Sequence, residues 1–144
     1  MKVRYIHNNT DVLPATLKSF IHEKQKGYPL TPNKEYVVCA INIWKGILQY
    51  LVTEQSEKGN DFPVWVPTIL FEITDPRCPH IWSFAHYPEN RDKGLEAILG
   101  YPELVDLRNG HYDGVLLGDQ EARKLFHIRR IEIEKSVPGE WVQL

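Results

Sequence analysis

The sequence predicts an α+β fold in a single domain spanning residues 1–144: an antiparallel sheet or a small SH3-like barrel, flanked by N- and C-terminal helices. Three observations predict it. The patterns run in the order strand, helix, several strands, then helices. Between Glu35 and Tyr87, β-branched and aromatic runs alternate with Gly, Pro and Asn turn signals. At 144 residues the chain can bury one core but not two comfortable ones.

Val3–Ile6 is a short strand, ended by the turn-prone Asn8-Asn9. Leu13, Leu17, Phe20 and Ile21 fall on one face of a helix over Ala15–Lys24, with Pro14 near its first turn and Gly27 beyond its end. Glu35–Ile43 and Ile47–Thr53 read as a hairpin closed at Lys45-Gly46. Glu54 to Asp61 is a polar loop. Val64–Val66, fenced by Pro63 and Pro67, is an edge strand or a sharp corner. Strands are expected over Thr68–Thr74 and Ile81–Tyr87, the latter with Trp82, Phe84 and His86 on one face. Leu95, Ile98 and Leu99 have helical spacing, a short helix follows from Tyr101 to Asp106, and His111–Gly114 reads as a loop. Asp119 is the N-cap of a last helix, about Gln120–Ile131, and Pro138-Gly139 ends that region. There is no internal repeat, low-complexity stretch or linker.

Composition narrows the function classes. Hydrophobic residues make up 42% and charged residues 25%, and four Trp, seven Tyr and five Phe supply enough apolar surface for a packed core. A net charge of -2 argues against a general nucleic-acid binder, which needs a basic excess to displace phosphate counterions. No apolar run approaches the ~20 residues that span a bilayer, and Met1–Asn9 lacks the apolar core of a signal peptide, so a cytoplasmic protein with no membrane partner is expected. Cys39 lies in the apolar run Tyr36–Ile41 and is expected to be a buried free thiol; Cys78 lies in a turn-like stretch.

No phosphate-binding loop, dinucleotide fingerprint or nucleophile elbow is present. Cys78, His80 and His86 are too dispersed for a metal: six residues of strand separate the two histidines by about 20 Å. No metal and no cofactor is expected. His111, Asp113 and Asp119 could form a general acid–base cluster, but a solvated loop followed by a helix cap explains them as well. A nucleophilic Cys78 beside His80 would need an activating group that the sequence does not supply. Trp65 and Trp82 sit in strand patterns, as core residues do. Trp44, at a hairpin tip, either anchors a partner or folds back over the sheet.

One resemblance adds to this. Tyr28-Pro-Leu-Thr-Pro-Asn-Lys-Glu-Tyr-Val-Val-Cys-Ala-Ile, then Gly46-Ile-Leu-Gln-Tyr-Leu-Val, then Trp65-Val-Pro-Thr-Ile-Leu-Phe-Glu-Ile-Thr-Asp resembles small bacterial immunity-type proteins with an SH3-like strand core. Gly118-Asp-Gln-Glu-Ala-Arg-Lys-Leu-Phe resembles their acidic-capped last helix. The resemblance implies a non-enzymatic protein that binds and neutralises a cognate toxin domain, a nuclease being one candidate. It carries over no catalytic residue. A basic nuclease cleft would call for acidic groups, of which Glu103, Asp106, Asp113, Asp119 and Glu121 form the clearest run; with Trp44 they are the expected partner-binding residues. Two other readings remain: a peptide-binding module using Trp44, Tyr50 and Trp65, and a small nucleotide-acting hydrolase centred on His111 and Asp113.

Overall fold

A computed structural model describes residues 1–6, 28–55 and 61–136. The helix expected over Ala15–Lys24 lies outside the described residues. Among the described residues, eight strands form two antiparallel sheets and three helices follow: β1 (Lys2–Tyr5), β2 (Glu35–Val37), β3 (Ala40–Trp44), β4 (Ile47–Gln55), β5 (Asp61–Pro67), β6 (Phe71–Asp75), β7 (Ser83–His86), β8 (Leu95–Gly100), α1 (Pro102–Val105), α2 (His111–Leu117) and α3 (Gln120–Lys135). The smaller sheet has the order β2-β1-β6 and the larger β5-β4-β3-β8-β7. Of the two architectures expected, the open antiparallel sheet is realised; the sheets do not close into an SH3-like barrel.

The larger sheet is the middle of three layers, and its pleat explains how one strand serves two cores. Successive side chains on a strand point to opposite faces. On β4, Leu51 points to the helices and packs with Tyr101, Leu104, Tyr112, Val115 and Phe126. Its neighbours Tyr50 and Val52 point the other way, against Val3, Tyr5, Tyr36 and Phe71 of the smaller sheet. Burying both faces of a strand removes the polar alternation that marks a half-exposed one.

The hairpin forms where the sequence places it. Trp44 pairs with Ile47 across Lys45 and Gly46, whose φ values of 50° and 77° are both positive, as a two-residue hairpin turn of this twist demands. Glycine takes that conformation without strain. β5 is an edge strand, which lets it carry Pro63 and Pro67 without interrupting a ladder on its open side. The run expected as one strand from Glu35 to Ile43 is two, because the chain changes sheets at Val38-Cys39. Thr68–Leu70 is a 3-10 turn before β6, and the strand expected from Ile81 begins only at Ser83.

Two expectations are overturned. Leu95, Ile98 and Leu99 belong to strand β8, not a helix; β8 lies between β3 and β7, where Leu95, Ala97 and Ile98 are all buried. A short apolar run buried on both sides carries no period that separates strand from helix. His111–Gly114 opens helix α2 and is not a loop. Gly110 and Gly118, with φ of 77° and 79°, bracket that helix. Asp119 caps α3 as expected, its carboxylate accepting from the Ala122 N–H at 3.0 Å. Cys39 is buried and Cys78 exposed, and no disulfide joins them. Among the described residues no helix is long and apolar enough to cross a membrane.

Candidate functional site

Alternation along β3, β4 and β5 aims Trp44, Gln49 and Trp65 at the helical layer, at the end of the sheet where α2 passes over it. Tyr112 and Leu116, one turn apart on α2, meet them. With Ile47 and Pro67 these residues wall a cleft of about 200 Å³. The Trp65 and Tyr112 rings lie 6.0 Å apart at 36°. Trp44 is neither fully buried nor projecting from the hairpin tip. Its indole leans on Gly94, where an added Cβ would come within 3.1 Å of the ring. Lys45 donates its backbone N–H to Gly94 at 2.8 Å and holds its ammonium 5.7 Å from the Trp44 ring centroid.

Beneath Tyr112 lies Asn42, only 1% exposed. It stands opposite Gln49 in the β3–β4 register, and its amide reaches the Tyr112 hydroxyl at 3.4 Å, a long contact. The other polar atom of that amide, Oδ1, has no hydrogen-bond partner. Exchanging the amide's N and O would leave its N–H2 in the same position. Burial pushes the Tyr112 phenol up to about 12, so it stays protonated and can donate.

The acidic run divides by partner. Glu103 is held by Arg129 through both carboxylate oxygens, with Nε 3.0 Å from each, and Arg129 also meets Glu132 at 2.9 Å. That guanidinium keeps the Glu103 carboxyl below its usual range. Asp106 pairs with Arg108 and accepts its backbone N–H at 3.1 Å. Asp119 is engaged as the α3 cap, and Glu121 meets Lys124 at 3.2 Å. Asp113 is exposed on α2 and has no ion pair with any of the described residues. It follows Tyr112 on α2 but is not among the residues that line the aromatic cleft. Of the residues expected to bind a partner, Trp44 lines the cleft, Asp113 is exposed on α2, and Glu103, Asp106 and Glu121 are each in an ion pair within the chain.

His111 and Asp119 share a second groove of about 350 Å³ with Glu103, Glu121 and Leu125; Asp113 does not line it. His111 is 7% exposed, and its Nε2 lies 2.7 Å from the Tyr101 hydroxyl. Its backbone N–H donates to Asn109 Oδ1 at 2.8 Å. Burial lowers the pKa of the imidazole, which favours the neutral ring. Among the described residues no three His, Cys, Asp or Glu side chains gather as a metal would need. Of the proposed peptide-binding trio, Trp44 and Trp65 are neighbours in the cleft, whereas Tyr50 is buried on the opposite face of the sheet.

Sequence reasoning misses Tyr112, because His111–Gly114 reads as a loop, and with it the helix that carries Leu116. The signal was there: Tyr112, Val115 and Leu116 have helical spacing between two glycines that suit helix ends. No protein-family model, no curated protein and no solved structure matches the chain.

Proposed function

We propose that this is a cytoplasmic binding protein of the immunity type, which neutralises a cognate toxin domain by covering part of its surface. The observation that supports this best is the cleft formed by Trp44, Trp65 and Tyr112, with Leu116 of α2, 46% exposed, in its wall. Large side chains left uncovered beside an aromatic cleft are the usual make-up of an interface anchor. The helix and the sheet that build the cleft are packed against one core, so the surface is rigid before a partner arrives and little order has to be gained on binding. A stable complex needs an interface of about 1,600 Å², so the cleft would be its centre and not its whole extent.

A peptide-binding module is the second reading, favoured by the adjacency of Trp44 and Trp65. Co-expression separates the two. A candidate toxin domain is produced with and without it, and growth is measured. Rescue of growth by the parent protein and its loss with Trp44→Ala is the expected result. Failure to rescue growth, together with failure to bind the purified domain, would reject the toxin pairing. Turnover of a nucleotide that disappears with His111→Ala would put the enzyme reading in its place.

A further inference from the structure

We propose that the outer edge of β7 pairs with the same edge of a second copy of this chain, joining the two larger sheets across a two-fold axis at Ala85. The proposal does not rest on the reading of the aromatic cleft.

Among the described residues the two sheets end in β2, β6, β5 and β7, and the first three carry features that discourage further pairing. β2 is three residues long and opens with Glu35. β6 carries Glu72 and Asp75. On β5 the protection lies in the backbone. The Cys39 N–H donates to Leu51, so Leu51 bonds toward β3 and its neighbours Tyr50 and Val52 bond toward Val66 and Val64. Pro63 and Pro67 therefore occupy outer positions, where they remove two donors from the edge. β7, Ser83-Phe-Ala-His86, has neither a proline nor an Asp, Glu, Lys or Arg.

The β7 edge is open. Tyr87 donates its N–H to Glu96 at 2.8 Å, which turns Ser83 and Ala85 toward β8 as well. The N–H and C=O groups of Phe84 and His86 point the other way. Beside them the Phe84 side chain is 67% exposed, the highest value of any aromatic side chain among the described residues.

This edge is complementary to itself in one register. An axis at Ala85 sets Phe84 opposite His86 of the other copy, and His86 opposite its Phe84, so every outer N–H and C=O of β7 meets a partner. An axis at Phe84 would set His86 against Trp82, whose N–H is already given to Pro79. An axis at His86 would set Phe84 against Pro88, which has no N–H. Pairing at Ala85 also lays each Phe84 ring beside an imidazole and brings no like-charged carboxylates or ammonium groups together on the strand. So short an edge buries less than a standard interface, and a dissociation constant on the order of 100 μM is expected. The aromatic cleft is built on β3, β4 and β5, so both copies of it stay open in the dimer.

The test is sedimentation equilibrium of the full chain from about 10 μM to about 1 mM, a range that brackets this constant. The mean mass should rise with concentration from the 16.8 kDa of one chain toward twice that value. Phe84→Lys places like charges on the two edges, and His86→Pro removes an outer N–H without breaking a bond to β8. Each should weaken the dimer about tenfold or more, with an unchanged circular dichroism spectrum. In a Cys78→Ser background, Ala85→Cys should oxidise to a disulfide-linked dimer, because residues facing each other across the axis stand about 4.5 Å apart at Cα. Ser83→Cys should not, since it would face Tyr87 of the other copy. A monomer at every concentration, dimerisation unchanged by both Phe84→Lys and His86→Pro, or cross-linking of Ser83→Cys as readily as Ala85→Cys would overturn the proposal. A chain that stays monomeric alone and binds a strand only from an added toxin domain would overturn it too, and would leave the toxin pairing standing.

Discussion

Replacing Gly114 by alanine should destabilise the protein, although the same change inside a helix normally stabilises by about 1 kcal/mol. Gly114 lies where α2 crosses α3. A Cβ there would stand 2.8 Å from the Cβ of Ala122 and 3.5 Å from that of Asp119. Carbon atoms prefer separations of about 3.5–4.0 Å, so the helices must part by close to 1 Å. Neither Cβ can rotate away, because each is fixed to its backbone. Overpacking of this kind costs about 1–3 kcal/mol, which outweighs the gain in helix propensity and leaves a net loss of about 1 kcal/mol. The companion change Ala122→Gly should by itself cost about 2 kcal/mol, from lost propensity and a lost buried methyl. If the two positions were independent, the double variant would lose the sum, about 3 kcal/mol. With the collision removed it should lose only about 1 kcal/mol, which makes the coupling about 2 kcal/mol. Urea unfolding of the four proteins, followed by far-ultraviolet circular dichroism with the denaturant slope checked for constancy, measures this. The near-ultraviolet signal should change with Gly114→Ala as well, because α2 carries Tyr112 against Trp65. A Gly114→Ala protein at least as stable as the parent, or a double variant equal to the sum within about 0.5 kcal/mol, would refute the reasoning.

Three further outcomes are expected. Asp119→Ala should cost about 1 kcal/mol through loss of the α3 cap, while Asp119→Asn, which keeps an acceptor, should cost little; chemical denaturation of both variants checks this. Arg129 holds the Glu103 carboxyl below its unfolded value of about 4.5, so its stabilisation is present above that pH and lost as pH falls through the folded value. Glu103→Gln should therefore be less stable than the parent by about 1 kcal/mol at neutral pH, with the gap closing in acid; a gap that persists at pH 2 would argue against the ion pair. A thiol reagent should label Cys78 at once and Cys39 only at the rate of unfolding, and immediate reaction of two thiols per chain would contradict the packing around Cys39.

What could be read in advance followed the physics of each segment. The β3–β4 hairpin was legible because Lys45-Gly46 is local turn chemistry between two alternating runs. The edge position of β5 was legible because proline is excluded from an inner ladder. β8 was not legible, since burial on both faces erases the two-residue period and leaves an apolar run with accidental helical spacing. The break at Val38-Cys39 was hidden for a similar reason: a change of sheet is decided by distant partners, not by the residues at the change. α2 was missed because Gly114 looks like a loop residue, and only its approach to Ala122 explains a glycine there. That error also concealed half of the cleft. Trp44 and Trp65 stood out as aromatics, but Tyr112 and Leu116 could not be placed beside them without the helix. Among the carboxylates, composition could not tell Asp113 from Glu103, because the difference lies in where Arg129 reaches.

The smaller sheet sets a waiting time on synthesis. β1 is sandwiched between β2 and β6, so its second edge stays open until Phe71–Asp75 have been made. Chains grow at about 5–20 residues per second, so some seventy residues take roughly 4–14 s. Over that interval a short strand carrying Val3 and Tyr5, both wholly enclosed in the finished protein, has, among the described residues, the three residues of β2 as its strand partner. Its protection then depends on how fast the β3–β4 hairpin, a local structure that closes in microseconds, offers Tyr50 and Val52 as a surface to lie against. A slow hairpin would lengthen the exposure of β1 to other nascent chains, so substitutions at Lys45-Gly46 should alter the yield of folded protein in cells more than they alter the stability of the purified product.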